Sequence, residues 1–263
     1  MMPEPNRLVK INYEGPIYGP EGHAFHDLLT KHDQLLTTRF GYNRLIVAAP
    51  HHTPKGVENL PCGRWGDENA GYLARNVADH LGATMVVAAN ANYDPNKAAG
   101  DYESLTVCCD PQVFVETHGF GYGYGKPMTQ NDIEISCGTP EFNAQAMHLA
   151  ERMRFYLAKV SKRIASNDPQ TAEELISLKV EGDYGNIYFK AKQTRSLSKA
   201  RLKGILPYHI EHNSAIRKNG PRSERGLPVL GEYVTAALAA SIAEIHQDVV
   251  LSTSKTIDEL IRS

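Results

Sequence analysis

The chain has 263 residues, 41% hydrophobic and 22% charged, with a formal net charge of -2. That length suits one large α/β domain or two small ones. The near-neutral balance leaves no basic excess for holding nucleic acid, and no run approaches the roughly 18 apolar residues of a membrane span.

The start, Met1 to Asn6, has no apolar signal region, so a cytoplasmic protein is expected. Cys62, Cys108, Cys109 and Cys137 show no C-x-x-C spacing and read as reduced thiols, not metal ligands. Residues 1–20, rich in Pro and Gly, read as a surface segment. A helical pattern then runs from His23 to Phe40 through Phe25, Leu28, Leu29, Leu35 and Leu36.

Arg44 to Ala49 is the first clear strand, and Pro50 is expected to end it, with His51 and His52 where the chain leaves. His52 to Gly66 is a long loop, of a length that suggests function. Asp67 to Leu81 is an amphipathic helix through Ala70, Leu73, Ala74, Val77, Ala78 and Leu81, stopped by Gly82. Asp67 and Glu68 fall in its expected first turn. Ala83 to Ala89 is a strand, and strand–helix–strand order predicts a parallel pair with a right-handed crossover.

Asn90 to Glu103 is a polar loop containing Asn92-Tyr93-Asp94-Pro95-Asn96-Lys97, and Gln112 to Thr117 is a third strand, ending at His118. Gly119 to Lys126 alternates Gly with aromatics and lacks the spacing of a phosphate loop, so it reads as a flap or wall. Pro140 to Ala165 is a long helix, broken by Asn167-Asp168-Pro169. A short strand is expected at Ile187 to Ala191 and another at Ile205 to Glu211. A basic loop from Asn213 to Gly226 holds Arg217, Lys218, Arg222 and Arg225. Glu232 to His246 is a helix, with a short one near Ile257. Without repeats or a dividing linker, residues 1–263 read as a single domain with its core at about 43–247.

In open α/β sheets, chemistry collects at the carboxyl ends of strands. Two strand-end histidines, His51 and His118, with an acidic residue nearby, are the parts of a catalytic zinc site: three protein ligands and an open fourth position. Glu211 follows an apolar strand, where a carboxylate is costly unless used or paired.

The motifs, in order, resemble the N-formylglutamate amidohydrolase family of the zinc carboxypeptidase-like fold. Pro50-His51-His52-Thr53 resembles that family's Pro-His-Ser-Gly. Gly66 to Ala74 resembles its Asp-led helix start, and Asn92 to Lys97 its Asp-Leu-Asn-Arg segment. Val115-Glu116-Thr117-His118-Gly119 resembles its strand ending Asp-x-His, and Ile210-Glu211-His212-Asn213 its late strand ending in a catalytic glutamate. The resemblance spans about 43–245. It implies a three-layer α/β/α fold with a mostly parallel mixed sheet, and one zinc per chain on His51, Asp67 and His118. It also implies Glu211 as general base and acid, with Asn96, Lys97 and Arg217 toward a substrate carboxylate. The implied activity is zinc-dependent hydrolysis of an amide bond in a small N-acyl amino acid, or in a terminal or γ-linked peptide with a free carboxylate.

The chain departs from the family at three points. Lys97 stands for arginine and loses the bidentate fork. His52 competes with His51, and without His-x-x-Glu the carboxylate ligand stays open among Asp67, Glu68 and Glu58. Two rivals remain: a metal- or small-molecule-binding module without catalysis, and a cysteine hydrolase using Cys62 or Cys137.

Overall fold

A computed structural model describes residues 9–12, 35–54, 57–108, 110–123, 126–219 and 226–250. Its centre is a mixed sheet, nine-stranded among the described residues. In spatial order the strands are β1 (Val9–Asn12), β2 (Leu35–Arg39), β5 (Thr84–Ala89), β3 (Leu45–Thr53), β6 (Val113–Gly119), β11 (Leu206–His212), β9 (Ile133–Ser136) and β10 (Val180–Glu181). The two-residue β4 (Asp67–Glu68) pairs with the end of β3. The central four, β5-β3-β6-β11, run parallel. Antiparallel joins at β2–β5 and β11–β9 flank them.

The sheet is buried on both faces because its strands are apolar at successive positions. A strand's period of two then divides them. Leu45, Val47 and Ala49 face a cluster with α1 (Ala70–Leu81), α3 (Asn143–Ile164), α4 (Pro169–Ser177) and α7 (Val229–Ile245). Ile46 and Ala48 face the other cluster, which takes Tyr102 from α2 (Asp101–Leu105) and Leu197 and Ala200 from α5 (Arg195–Leu202). The result is the expected three-layer α/β/α arrangement with a mostly parallel mixed sheet. Helix α7 packs on both α1 and α3, which is why it is apolar nearly all round. Among the described residues no helix is long and apolar enough to cross a membrane.

Several elements differ from the sequence pattern. The end of the expected His23–Phe40 helix is strand β2, because Leu35 to Arg39 finds an antiparallel partner in β5; residues 23–34 lie outside the described set. Pro50 does not end its strand. Strand β3 continues through His51 and His52, with a register shift against β5 between Ala49 and His52, and a bulge accommodates a residue that cannot donate to the ladder. Asp67 and Glu68 are not in a helix turn. They form β4, and Asn69, at φ 68°, turns the chain into α1. Gly82, at φ 62°, does stop that helix, and β3 and β5 are parallel as expected.

Residues 187–191 form no strand. The backbone N–H groups of Tyr188 and Phe189 donate instead to the Glu134 carboxylate, at 2.9 Å each. Asp168 caps α4 by accepting from the Thr171 N–H at 3.1 Å, so the break expected there is also a helix start. Asn213 likewise caps α6 (Ser214–Lys218). Part of the Gly-aromatic stretch is a small hairpin, β7 (Tyr122–Gly123) with β8 (Lys126–Pro127). Arg222, Arg225 and the expected helix near Ile257 lie outside the described residues.

At the C-terminal end of α7, the Tyr208 hydroxyl lies 3.1 Å from Nε2 of His246. Burial holds His246 below its usual value of 6.5, with His148 adding to the effect and Asp248 opposing it. A group whose folded value is depressed stabilises the fold above the unfolded value and loses that contribution as pH falls. His246→Gln keeps an acceptor that does not titrate. The stability difference between wild type and this variant is therefore expected to move against wild type as pH falls from about 7.5 to about 5. Urea midpoints at the two pH values check it.

Candidate metal centre

Parallel strands end at one edge of the sheet, and here three of them end on ionisable side chains. Strand β6 carries Glu116 and His118, and β11 carries His209 and Glu211. Their register pairs Glu116 with His209 and His118 with Glu211. At period two, each strand's pair lies on one face. Beside them, the bulged end of β3 supplies His51, and β4 supplies Asp67. All six are at most 7% exposed.

Oδ2 of Asp67 lies 2.9 Å from Nδ1 of His118 and 3.3 Å from Nδ1 of His51. One ligand atom from each of the three residues lies within 4.8 Å of the others. A carboxylate oxygen facing two imidazole nitrogens accepts an N–H from them or shares a metal ion with them. Burial opposes the charge on both partners. Hydrogen bonds to Asp67 and Glu116 nevertheless push His118 up to about 10. His118 and His51 hold Asp67 well below the usual carboxylate range. A divalent ion competes for that same place, and two imidazoles with one carboxylate are a donor set that zinc accepts. The residues present fit a metal ion.

Further carboxylates stand behind the two rings. Nε2 of His51 lies 2.9 Å from Oδ1 of Asp94, whose Oδ2 accepts from Nη1 of Arg64 at 2.6 Å. Nε2 of His118 lies 3.0 Å from Oε2 of Glu116. Burial works against ionised Glu116, yet His118 and His209 hold it well below the usual carboxylate range. Oε1 of Glu211 lies 3.1 Å from Nε2 of His209. Its Oε2 is buried with no hydrogen-bond partner among the described residues.

The other sequence candidates divide clearly. Nδ1 of His52 accepts from the Gly71 N–H at 3.1 Å, and its ring meets Tyr72 edge-on, so it faces α1 and not the trio. Glu68 pairs with Lys218 at 2.9 Å, and Glu58 is exposed. Asp67 is thus the carboxylate that lies with the two histidines. Asn96 is 2% exposed, with a buried Oδ1 that has no partner among the described residues. Lys97 sits 3.9 Å from Asp94.

Arg217 does not face the trio. It is 2% exposed, and its guanidinium donates to the carbonyls of His212, Phe120 and Glu68. Cys62 is exposed, and burial pushes the Cys137 thiol up to about 12, far from a thiolate nucleophile.

The motifs assign no role to Asp94, Glu116, His209 or Arg64. For Glu116 and His209 the signal lies in two alternations, Glu116-Thr117-His118 and His209-Ile210-Glu211. Each places an acid and a histidine on one side of a strand. For Arg64, in the long loop, there is none.

No family model and no curated protein matches the chain. Solved structures do. An N-formylglutamate amidohydrolase from Ralstonia eutropha JMP134 is 12% identical, with a TM-score of 0.47, covering 81% of this chain and 97% of its own. An N-acetylmuramoyl-L-alanine amidase of Nostoc punctiforme is 15% identical, with a TM-score of 0.41 and coverage of 79% and 99%. A metallo-carboxypeptidase from Burkholderia cenocepacia is 11% identical, with a TM-score of 0.39 and coverage of 81% and 60%.

Gly119 follows His118 directly, and a Cβ there would fall inside the Arg217 guanidinium. Gly119→Ala is expected to displace Arg217 from its carbonyls and to cost about 1–3 kcal/mol, as overpacking does. Thermal or urea unfolding measures it; a variant as stable as wild type would show that Arg217 is not wedged there.

Proposed function

We propose that the chain is a metal-dependent hydrolase of an amide C–N bond other than an internal peptide bond. One observation carries this reading. The buried His51–Asp67–His118 trio stands next to Glu211, a buried carboxylate with one oxygen unspent. A purely structural ion needs no such oxygen; hydrolysis needs a group that takes a proton first and returns it later.

In this reading zinc is the ion, one per chain, held by His51, Asp67 and His118. When bound, it polarises the carbonyl and lowers the pKa of water. Glu211 does the proton work. Oε2 takes the proton from the attacking water and delivers it to the leaving nitrogen, while Oε1 stays on His209. Asp94 orients His51 from behind.

Asn96 and Lys97 are the proposed contacts for a substrate carboxylate, since both lie on the loop that carries Asp94. Arg64, whose side chain is 32% exposed beside Asp94, adds positive charge there. Arg217 serves instead as a strut, because its nitrogens are committed to backbone. The order of motifs supports a small N-acyl amino acid, or a terminal or γ-linked peptide with a free carboxylate, as substrate.

Mass spectrometry of the purified protein is expected to find about one zinc per chain in wild type and little in His118→Ala. Glu211→Gln keeps its metal, and its turnover on N-acyl amino acids and γ-glutamyl dipeptides falls roughly 10²- to 10⁴-fold. Absence of metal in wild type after zinc is added back, or undiminished turnover in Glu211→Gln, sinks the proposal.

A further inference from the structure

Strands β6, β11 and β9 lie side by side, and their registers set His118 opposite Glu211 and Glu211 opposite Glu134. Residues directly opposite on neighbouring strands share a face of the sheet. Glu134 thus stands beside the carboxylate to which the proton work is assigned, and it is 1% exposed. The two acids differ in what they hold. Oε1 of Glu134 accepts from the Thr129 hydroxyl at 2.5 Å and the Asn131 amide at 2.9 Å. Its Oε2 accepts the backbone N–H groups of Tyr188 and Phe189, at 2.9 Å each. These donors fill the roughly four acceptor sites of a carboxylate, so Glu134 is an anchor and not a second proton carrier.

What it anchors is a segment in no helix or strand, residues 187–191, whose backbone needs partners other than a ladder. Besides the two N–H groups on Glu134, the Lys190 carbonyl accepts from the Ser136 hydroxyl at 3.1 Å. Ser136 lies opposite His209 in the β9–β11 register. Two alternate positions of β9 therefore pin the segment on the side of the sheet that carries His118, His209 and Glu211.

The pinned residues are aromatic. The Phe189 ring lies 5.1 Å from that of Phe120 between centroids, at 31°, and Tyr188 meets Phe189 edge-on at 4.9 Å. Phe120, two residues beyond His118, is buried, whereas Tyr188 is 60% exposed. The three rings run from the end of β6 outward to solvent.

We propose that Glu134 is a positioning residue: it fixes residues 188–190 so that Phe189 and Tyr188 wall the cleft on the Glu211 side, where an apolar group of the substrate lies. This rests on the hydrolase reading above. It narrows the substrate to compounds with a large apolar or aromatic group, on the acyl part or on the amino-acid side chain. Such a group leaves water against the rings, whereas an acetyl group on a small amino acid has little surface to bury there.

The test uses full-length, zinc-loaded protein and matched substrate pairs. N-acetyl-phenylalanine with N-acetyl-alanine, and γ-glutamyl-phenylalanine with γ-glutamyl-alanine, place the ring on the side chain. N-benzoylglycine with N-acetylglycine places it on the acyl group. In wild type, kcat/KM is expected to favour the aromatic member of at least one pair roughly tenfold or more. Phe189→Ala and Glu134→Ala lose most of that preference through a raised KM for the aromatic member. A general packing defect would instead lower kcat on both members alike. Glu134→Gln keeps an oxygen for the two N–H groups and retains most of the preference. Amide hydrogen exchange reads the anchor without turnover: the Tyr188 and Phe189 amides are slow in wild type and in Glu134→Gln, and fast in Glu134→Ala.

Turnover with no preference in any pair overturns the inference and leaves the hydrolase reading standing. So does fast exchange of the two amides in wild type, or exchange in Glu134→Ala as slow as in wild type. A preference that survives Phe189→Ala also overturns it, and Phe189 is only partly buried, so that variant decides even where Glu134→Ala does not fold. Wild type that turns over none of these compounds removes both this inference and the reading beneath it.

Discussion

Buried charge is costly unless it is paired, and the carboxyl edge of the central sheet gathers six buried ionisable side chains. Asp67, Glu116 and Glu211 alternate with His51, His118 and His209, all at most 7% exposed. Each acid left alone there would cost several kcal/mol. Each instead meets an imidazole. His51 and His118 each use both ring nitrogens on these acids and Asp94, so the contacts place one another. The rest of the structure serves to hold six side chains in that order.

The supports are backbone features as much as side chains. A bulge at Pro50 lets β3 continue and brings His51 to the edge. Asn69, in a left-handed conformation, lets Asp67 pair beside His52 as a strand before α1 begins. Arg217 gathers the carbonyls of Glu68, Phe120 and His212, which ties β4, the end of β6 and the end of β11 together. Asn69 closes the same corner by donating to the Arg217 carbonyl at 2.7 Å. A cation that reads as a substrate contact in sequence is therefore a tie between the three segments that present the centre.

The two layers of helices contribute unequally. The α1, α3 and α7 side supplies apolar packing. The α2 and α5 side supplies Tyr102 and Ser196, two hydroxyls that reach across to Glu116. A buried hydroxyl costs less than a buried charge and can still satisfy one. Neutral hydroxyls thus satisfy the far oxygen of Glu116 without a further charge, and one oxygen of Glu211 is buried with no hydrogen-bond partner among the described residues.

Local pattern by itself determined the parallel β3–α1–β5 unit, the long helices α3 and α7 and the central strands, because those depend on periodicity and on Gly and Pro punctuation, whereas the three-layer class followed from the resemblance of the motifs to a known family. It also singled out His51, His118 and Glu211, because a polar residue at the end of an apolar strand stands out. Tertiary structure decided the rest. Leu35 to Arg39 became a strand because β5 offered an edge, and residues 187–191 did not because Glu134 took their N–H groups. Asp67, and not Glu68 or Glu58, lies beside His51 and His118 because of a two-residue pairing with β3 that no spacing rule anticipates. Asp94, Glu116 and His209 gained their places only when separate segments met. What each nitrogen of a histidine meets is a property of its neighbours in space, and those neighbours are up to about ninety positions away in the chain.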